Sequence, residues 1–235
     1  MSRFDLGITL IIVAFLTWNT ASRWQRARRL RYLRDTPLPP GLFDKLRRQR
    51  PDIGPEHRPA IEVALRDFFA AYLLGGRKPV SMPSQAADEL WHAFILCTRH
   101  YDAFCRQAFG RFLHHTPAVV LTRSYDRNVG LRRVWTQTCR MEGIDPKRPT
   151  RLPLLFALDA QVGLADGFRY TLDCSALREA GAAGDASGGQ CATDFASDGF
   201  DGTTDGLGDG GCSGDGGSDG CSGDGGGDGG GCGGD

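Results

Sequence analysis

The chain of 235 residues lacks, as far as residue 180, the motifs that identify the common nucleotide-binding enzymes. It contains no G-x-x-x-x-G-K-[ST] loop, and no G-x-G-x-x-G occurs before residue 181. Both motifs hold phosphate groups at the beginning of a helix, so a nucleotide-binding α/β fold is without support. Alternation of apolar and polar residues, which is typical of strands, does not persist for long either. We therefore predict a mainly α-helical protein.

The C-terminal segment 181–235 contains no lysine, arginine or glutamate, and 23 of its 55 residues are glycine. Such a composition cannot bury enough apolar surface to offset the chain entropy lost on folding, so we predict a disordered acidic tail. The apolar residue that each calcium-binding nonapeptide repeat needs is almost absent. The C-x₂₋₄-C pairs of zinc sites are absent too. The cysteines of this tail are Cys191, Cys212, Cys221 and Cys232.

Charge is segregated along the chain, although the formal net charge is zero. The tail holds eleven aspartates, whereas residues 1–180 hold all 28 lysines and arginines. A basic body joined to an acidic tail is typical of contacts with a membrane, with nucleic acid or between tail and body. As interaction partners of the basic body we expect a membrane, the acidic tail of the same chain and an unidentified protein, rather than nucleic acid.

An uncharged run of seventeen residues lies between Asp5 and Arg23. This length is at the lower limit for a helix that crosses a bilayer, and Trp18 lies where an amphipathic ring prefers the headgroup level. A block of arginines follows, which is typical of the cytoplasmic side of a membrane. The residues expected to contact the membrane are Trp18, Arg23, Arg26, Arg28, Arg29, Arg31 and Arg34.

We interpret residues 1–35 as a single-pass anchor in the inner membrane, with the N-terminus outside and the bulk of the chain in the cytoplasm. A cleaved signal peptide is one alternative, but the start of the chain is only weakly charged. A buried soluble helix is another, but an apolar helix beside six arginines is hard to bury. In a reducing cytoplasm the eight cysteines would normally stay thiols.

Residues 36–180 are predicted to form one compact helical domain, with apolar residues at helical spacing in several segments. Ser84 or Ser81 caps the segment that begins near residue 85, and Thr116 caps a later one that ends at Gly143. The segment "FRYTLDC" is predicted to be one short strand. The predicted helices lie in "GLFDKLRRQR", "PEHRPAIEVALRDFFAAYLL", "ADELWHAFILCTRHYDAFCRQAF", "TPAVVLTRSYDRNVGLRRVWTQTCRMEG" and "RLPLLFALDAQVGL".

The stretch Ala87–His115 contains four of the five histidines. On one continuous helix, Cys105 lies in the middle of an aromatic face, whereas Asp88 and His92 lie on the other side. His92 and Cys105 are then about 20 Å apart along the axis, which is too far for two ligands of one zinc ion. A continuous helix therefore predicts two separate clusters, one at each end.

The first cluster is an i,i+4 pair in which a carboxylate orients an imidazole, and the second is a cysteine with one of two histidines at the helix end. The candidate metal ligands are Asp88 and His92 in the first cluster, and Cys105, His114 and His115 in the second. Zinc is the ion that such ligands would hold, but no cofactor is assigned, because zinc needs three or four ligands and each cluster offers fewer placed candidates. The alternative is a packed helix in which Cys105 is a small buried hydrophobe. No catalytic residue is assigned, because no complete catalytic set is present.

The segments "MPSQAADELWHAFILCTRHYDAFC", "FGRFLHHTP" and "GIDPKRPTRLPLLFALDAQVGLADGFRYTLDC", followed by a Gly/Cys tail, resemble bacterial glycine-rich domain-containing proteins. The resemblance covers about Val80 to Cys174 and the tail. The D-x-x-W-H element is also similar to one in plant glycine-rich domain proteins. The resemblance implies a recurring module and brings no catalytic residues.

Two functional hypotheses follow from the sequence. The leading one is a membrane-anchored protein whose cytoplasmic helical domain binds other proteins or serves as a scaffold, rather than acting as an enzyme. The alternative is a metal-binding or metal-dependent hydrolytic module, centred on Asp88 and His92 or on Cys105, His114 and His115.

Overall fold

The computed structural model describes residues 3–115, 129–172, 190–192 and 195. This part of the chain is mainly helical, which confirms the predicted fold class at that level. The α-helices are α1 Arg3–Asp35, α2 Leu42–Gln49, α3 Arg58–Leu74, α4 Gln85–Ile95, α5 Thr98–Phe109, α6 Val129–Met141 and α7 Leu154–Val162. A 3₁₀ turn, Pro55–His57, precedes α3, and two short strands are β1 Tyr170–Thr171 and β2 Gln190–Cys191.

Helix α1 has two parts with different surroundings. Its C-terminal part packs against α3 and α5, and Leu33 is fully buried there. Arg66 of α3 fixes this contact, because it donates to the Leu33 carbonyl at 2.6 Å. The apolar residues of the N-terminal part are exposed instead, from Ile8 to Trp18. The prolines that begin at Pro37 prevent the helix from continuing.

No helix within the described residues combines the length and the apolar character needed to cross a membrane. The structure therefore does not support the predicted single transmembrane helix.

Helix α3 forms the centre of the domain and packs against α1, α4, α6 and α7. Its apolar residues recur at helical spacing, and Phe68 and Phe69 are fully buried. Phe68 lies 5.0 Å from the ring of Trp91, and Phe69 lies 5.4 Å from Phe104 and 5.9 Å from Phe109. Each tilted or edge-on pair stabilises the core by about 0.5–1.5 kcal/mol beyond the area buried.

The stretch that was expected to be one continuous helix is two helices, so that prediction is wrong. Helix α4 ends at Ile95 and α5 begins at Thr98. At the break the Cys97 N–H donates to the Phe94 carbonyl, which tightens the last turn of α4. The turn brings the Phe94 ring within 5.2 Å of Tyr101 and 5.1 Å of Phe104. Burial of this aromatic cluster outweighs the local preference for a longer helix.

The last described residues of the chain pack onto the domain. Strand β2 pairs in parallel with β1, and Phe195 packs against the rings of Trp135 and Phe156. Phe195 is only 4% exposed, although it lies within the segment assigned to the tail from composition. Cys191 is disulfide-bonded, so the expectation that the cysteines stay thiols is not met there.

Most of the remaining helical predictions are confirmed. Helices α2, α3 and α7 occupy the segments named from the sequence, and Ser84 is the N-cap of α4, where it accepts from the Ala87 N–H. Gly143 follows α6 with a φ of 69°. The predicted Thr116 cap lies outside the described residues.

Candidate metal centre

The beginning of α4 is held by a carboxylate from α7. Asp159 is only 1% exposed, and it accepts from the Ser84 hydroxyl at 2.6 Å and from the Gln85 N–H at 2.7 Å. The N–H groups of Ala86 and Phe168 also donate to it, at 3.1 and 2.9 Å. The first turn of a helix leaves N–H groups without partners, so this carboxylate satisfies them and complements the helix dipole. Helix α4 therefore has a fixed start one turn before its functional residues.

The D-x-x-W-H element lies in the middle of α4. Asp88 and His92 are one turn apart on the same face, and the distance from His92 Nδ1 to Asp88 Oδ2 is 3.7 Å. Trp91 is buried beneath them, with its side chain against α3. The two residues therefore share one face of α4, as the sequence predicts, but 3.7 Å is longer than a hydrogen bond.

The segment after α5 returns to α4. Gly110 directly follows α5 and adopts a left-handed conformation with a φ of 74°. The Trp91 indole donates to the Tyr101 hydroxyl at 3.0 Å, and this hydroxyl donates to the Leu113 carbonyl at 2.6 Å. All three groups are buried. This short chain of hydrogen bonds fixes the backbone two residues before His115.

His115 completes a cluster with the two residues of α4. Its Nε2 atom lies 2.8 Å from Asp88 Oδ1, at hydrogen-bond distance. Its ring lies 4.2 Å from the ring of His92 and 4.5 Å from that of Trp91, between centroids. Three side chains with metal-ligand atoms therefore meet at one point, and we call them the Asp88–His92–His115 cluster.

The spacing of the ligand atoms suits a small metal ion. One ligand atom from each side chain lies within 4.8 Å of the other two. A tetrahedral zinc ion with bonds of about 2.0–2.2 Å needs ligand atoms about 3.3–3.6 Å apart. The separations of 2.8 and 3.7 Å run to different oxygens of Asp88, Oδ1 and Oδ2, and lie on either side of this range, so side-chain rotations would place the three ligands around one ion.

The cluster is buried on one side and open on the other. The side chains of Asp88 and His115 are 11% and 10% exposed, whereas that of His92 is 43% exposed. A carboxylate with little access to solvent is stabilised by a cationic partner, and a metal ion would be one. The exposed His92 edge gives such an ion a route from solvent.

The structure does not bring together the second cluster expected from the sequence. Cys105 is fully buried beside Tyr101 and the Leu113 backbone, and burial is the main cause that raises the pKa of its thiol. His114 is exposed, and its ring lies against Phe112 at 4.8 Å. His115 instead joins Asp88 and His92, which the continuous helix had excluded. That exclusion is wrong, because the break after α4 shortens the path.

The residues predicted to contact the membrane lie along α1. Arg29 differs from the others, because it is half-buried and donates to the Phe109 carbonyl at 2.9 Å. The exposed ones are Trp18, Arg23, Arg26, Arg28, Arg31 and Arg34, of which Arg28 lies near the ring of Trp24.

Two residues that position the cluster were missed by the sequence analysis. Tyr101 was assigned only to an aromatic face, and its hydroxyl had no predicted partner. Asp159 was placed in a helix without a role. A buried polar atom on an apolar face needs a hydrogen-bond partner, and this requirement is the signal that singles out both residues.

A comparison with known families identifies the family to which the chain belongs. A family model described as UCP032817-like matches residues 28–195, which is more than two thirds of the chain. The protein belongs to the UCP032817-like family. Its match includes the whole Asp88–His92–His115 cluster and extends to Phe195. No curated protein and no solved structure matches the chain. The resemblance to glycine-rich domain proteins gains no evidence from the match and stays a prediction.

Proposed function

We propose that this UCP032817-like protein is a metal-binding protein, with Asp88, His92 and His115 as the ligands of a zinc-type ion. The observation that carries the proposal is the return of His115 from the end of α5 to the i,i+4 pair on α4. One carboxylate and two imidazoles form a common ligand set for zinc and for ferrous iron.

The surroundings of the cluster support a metal more than an ordinary helix-surface pair. Trp91 and the buried Tyr101 hydroxyl restrict the position of His115, so its imidazole is oriented before any ion binds. Three protein ligands leave a fourth position of a tetrahedral ion for water. Catalytic zinc sites have this arrangement. Metal-dependent hydrolysis, the alternative function from the sequence, would therefore require that this cluster binds a metal.

The test is elemental analysis and zinc titration of the full chain in parallel with two matched variants. His115→Ala removes a ligand, and His114→Ala removes the neighbouring imidazole, which lies outside the cluster. We expect one zinc or iron ion per chain in the parent and in His114→Ala, and its loss in His115→Ala and His92→Ala.

Three results would contradict the proposal. One is a metal content of zero in the purified parent together with no saturable zinc binding. Another is equal loss in His114→Ala and His115→Ala, because general surface histidines would then account for the binding. The third is metal that persists in His115→Ala, because other residues, such as the cysteines, would then hold the ion.

A second candidate function is attachment to a membrane through α1. The observation that favours it is the run of exposed apolar residues in its N-terminal part, where Ile11 is 70% and Trp18 74% exposed. Exposed apolar side chains on a helix followed by arginines are favourable in contact with an anionic lipid surface. The helical domain would then be held at the membrane as an interaction or scaffold module.

Fractionation of cells that express the full chain tests this attachment. Deletion of residues 1–22 should move the protein from the membrane pellet to the soluble fraction. A truncated protein that still pellets with membranes would count against attachment through α1.

A further inference from the structure

A second group of charged side chains lies at the C-terminal end of α5, apart from the metal ligands. Arg29 comes from α1, Arg77 from the turn after α3, and Arg111 from the segment after α5. Arg29 and Arg77 both donate to the Phe109 carbonyl, at 2.9 and 2.8 Å. Arg111 donates to the Tyr72 hydroxyl at 2.9 Å and to the Arg77 carbonyl. We call Arg29, Arg77 and Arg111 the arginine cluster.

The local structure is built to accept these arginines at close range. Gly110 has a φ of 74°, and a Cβ atom there would lie 2.6 Å from Arg29 Nη2, so a larger residue would displace this guanidinium. Arg77 has a φ of 60°, which is a left-handed conformation that non-glycine residues rarely adopt. A side chain in this conformation costs about 1–3 kcal/mol and is retained where the surrounding structure requires it.

The positive charge of the cluster exceeds what its partners neutralise. The end of α5 supplies about half a negative charge, whereas the three guanidiniums supply three positive charges. Ion pairs to a carboxylate involve Arg50, Arg66, Arg106 and Arg151 in the described part of the chain, and none of the three clustered arginines. Burial and then the nearby Arg77 lower the pKa of Arg29, in keeping with two cations at close range.

We infer that the arginine cluster binds a phosphate group. A dianionic phosphate would neutralise the like charges that the fold has brought together, and planar guanidiniums match its oxygens in pairs. Each guanidinium has about five N–H donors, and the observed bonds use one or two of them. The phosphate comes either from a free phosphorylated compound or from a lipid headgroup, and both present the same chemistry to the cluster.

The decisive variant is Arg77→Gly. It removes one guanidinium, and glycine adopts the left-handed conformation of residue 77 without strain. The Phe109 carbonyl keeps Arg29 as its donor. The variant should therefore be at least as stable as the parent in thermal unfolding, while phosphate binding weakens. Arg47→Ala is the matched control, because it removes one exposed arginine of α2 outside the cluster.

Two probes distinguish the sources of phosphate. Inorganic phosphate is titrated calorimetrically into the full chain without metal, and vesicles of phosphatidylcholine with or without phosphatidic acid are used in sedimentation. With the correct probe we expect saturable binding that weakens about tenfold in Arg77→Gly, and less than about twofold in Arg47→Ala. Arg111→Gln, at an exposed position, should reproduce the loss. Higher salt should weaken the binding in the parent.

The inference is overturned if neither probe binds, or if Arg47→Ala loses as much affinity as Arg77→Gly, since net charge alone would then explain the binding. An effect of Arg77→Gly on inorganic phosphate supports a site for a free phosphorylated compound. An effect confined to vesicles with phosphatidic acid supports a headgroup site. Failure of zinc binding does not affect these outcomes, because none of the three arginines belongs to the Asp88–His92–His115 cluster.

Discussion

The carboxylate of Asp159 is predicted to be the largest single polar contribution to the stability of the domain. It accepts hydrogen bonds from four groups, which are the Ser84 hydroxyl and the N–H groups of Gln85, Ala86 and Phe168. These donors connect α4 with α7 and with the turn that follows α7. In Asp159→Ala all four lose their acceptor at a position where water has little access, because the Asp159 side chain is almost fully buried.

The expected loss in the free energy of unfolding of Asp159→Ala follows from the number of donors. A buried donor left without a partner costs about 1–3 kcal/mol, but Ser84 can turn its hydroxyl, and the end of α4 can open slightly toward water. One kcal/mol per donor gives a loss of about 4 kcal/mol, which agrees with the 3–5 kcal/mol typical of breaking a buried charged interaction. For a domain of this size the melting temperature should fall by about 8–16 °C.

Urea unfolding followed by tryptophan fluorescence and circular dichroism measures this loss. Asp166→Ala is the matched control, because Asp166 pairs with Arg50 at the surface with a side chain that is 60% exposed. Arg50 keeps Asp52 as a partner in that variant, so a loss of at most about 1 kcal/mol is expected. Equal losses in the two variants would refute the view that Asp159 holds the beginning of α4.

Three further predictions concern stability, the metal ligands and the tail. Burial, followed by repulsion from Glu142, raises the pKa of Asp67 to about 6, so stability should fall as pH rises from about 4 to about 6. Asp67→Asn should therefore be more stable by about 2–3 kcal/mol at pH 7.5 and not below pH 4, as urea unfolding at the two pH values will show. Tyr101→Phe should cost about 2–3 kcal/mol and also weaken zinc binding, because the Leu113 carbonyl loses its donor; unchanged zinc affinity would contradict this. Deletion of residues 198–235 should strengthen binding to anionic vesicles at low salt if the acidic tail masks the basic body, and unchanged binding in co-sedimentation would exclude masking.

The helices could be predicted from the sequence because their signals are local. The apolar spacing of α3 and the Ser84 cap of α4 depend on residues within one or two turns. The break between α4 and α5 carries no glycine or proline, so no local signal marks it. It forms because the rings of Phe94, Tyr101 and Phe104 bury more surface when α5 folds back, and such a gain depends on the tertiary structure.

The metal ligands were predicted one by one, but their grouping was not. Angular positions around a helix axis are valid only while the helix is continuous. The helix is interrupted at Cys97, so the distance of about 20 Å between His92 and Cys105 along one axis no longer applies. The position of Phe195 was likewise not predicted, because it depends on tertiary contacts. Phe195 lies in a glycine-rich segment whose composition indicates disorder, yet one aromatic ring and the disulfide at Cys191 place it against Trp135.

The spacing of the D-x-x-W-H element now has a more specific interpretation than a pair within one helix. Positions i, i+3 and i+4 lie on one helical face, so Asp88, Trp91 and His92 present a carboxylate, an indole edge and an imidazole side by side. His115 contacts all three, by a hydrogen bond to Asp88 and by ring contacts to Trp91 and His92. The D-x-x-W-H element therefore forms the surface of α4 against which His115, from a distant segment, packs. Trp91→Phe should distinguish the contribution of the two α4 ligands from that of the hydrogen bond to Tyr101. It keeps Asp88 and His92 but removes the indole N–H that orients Tyr101.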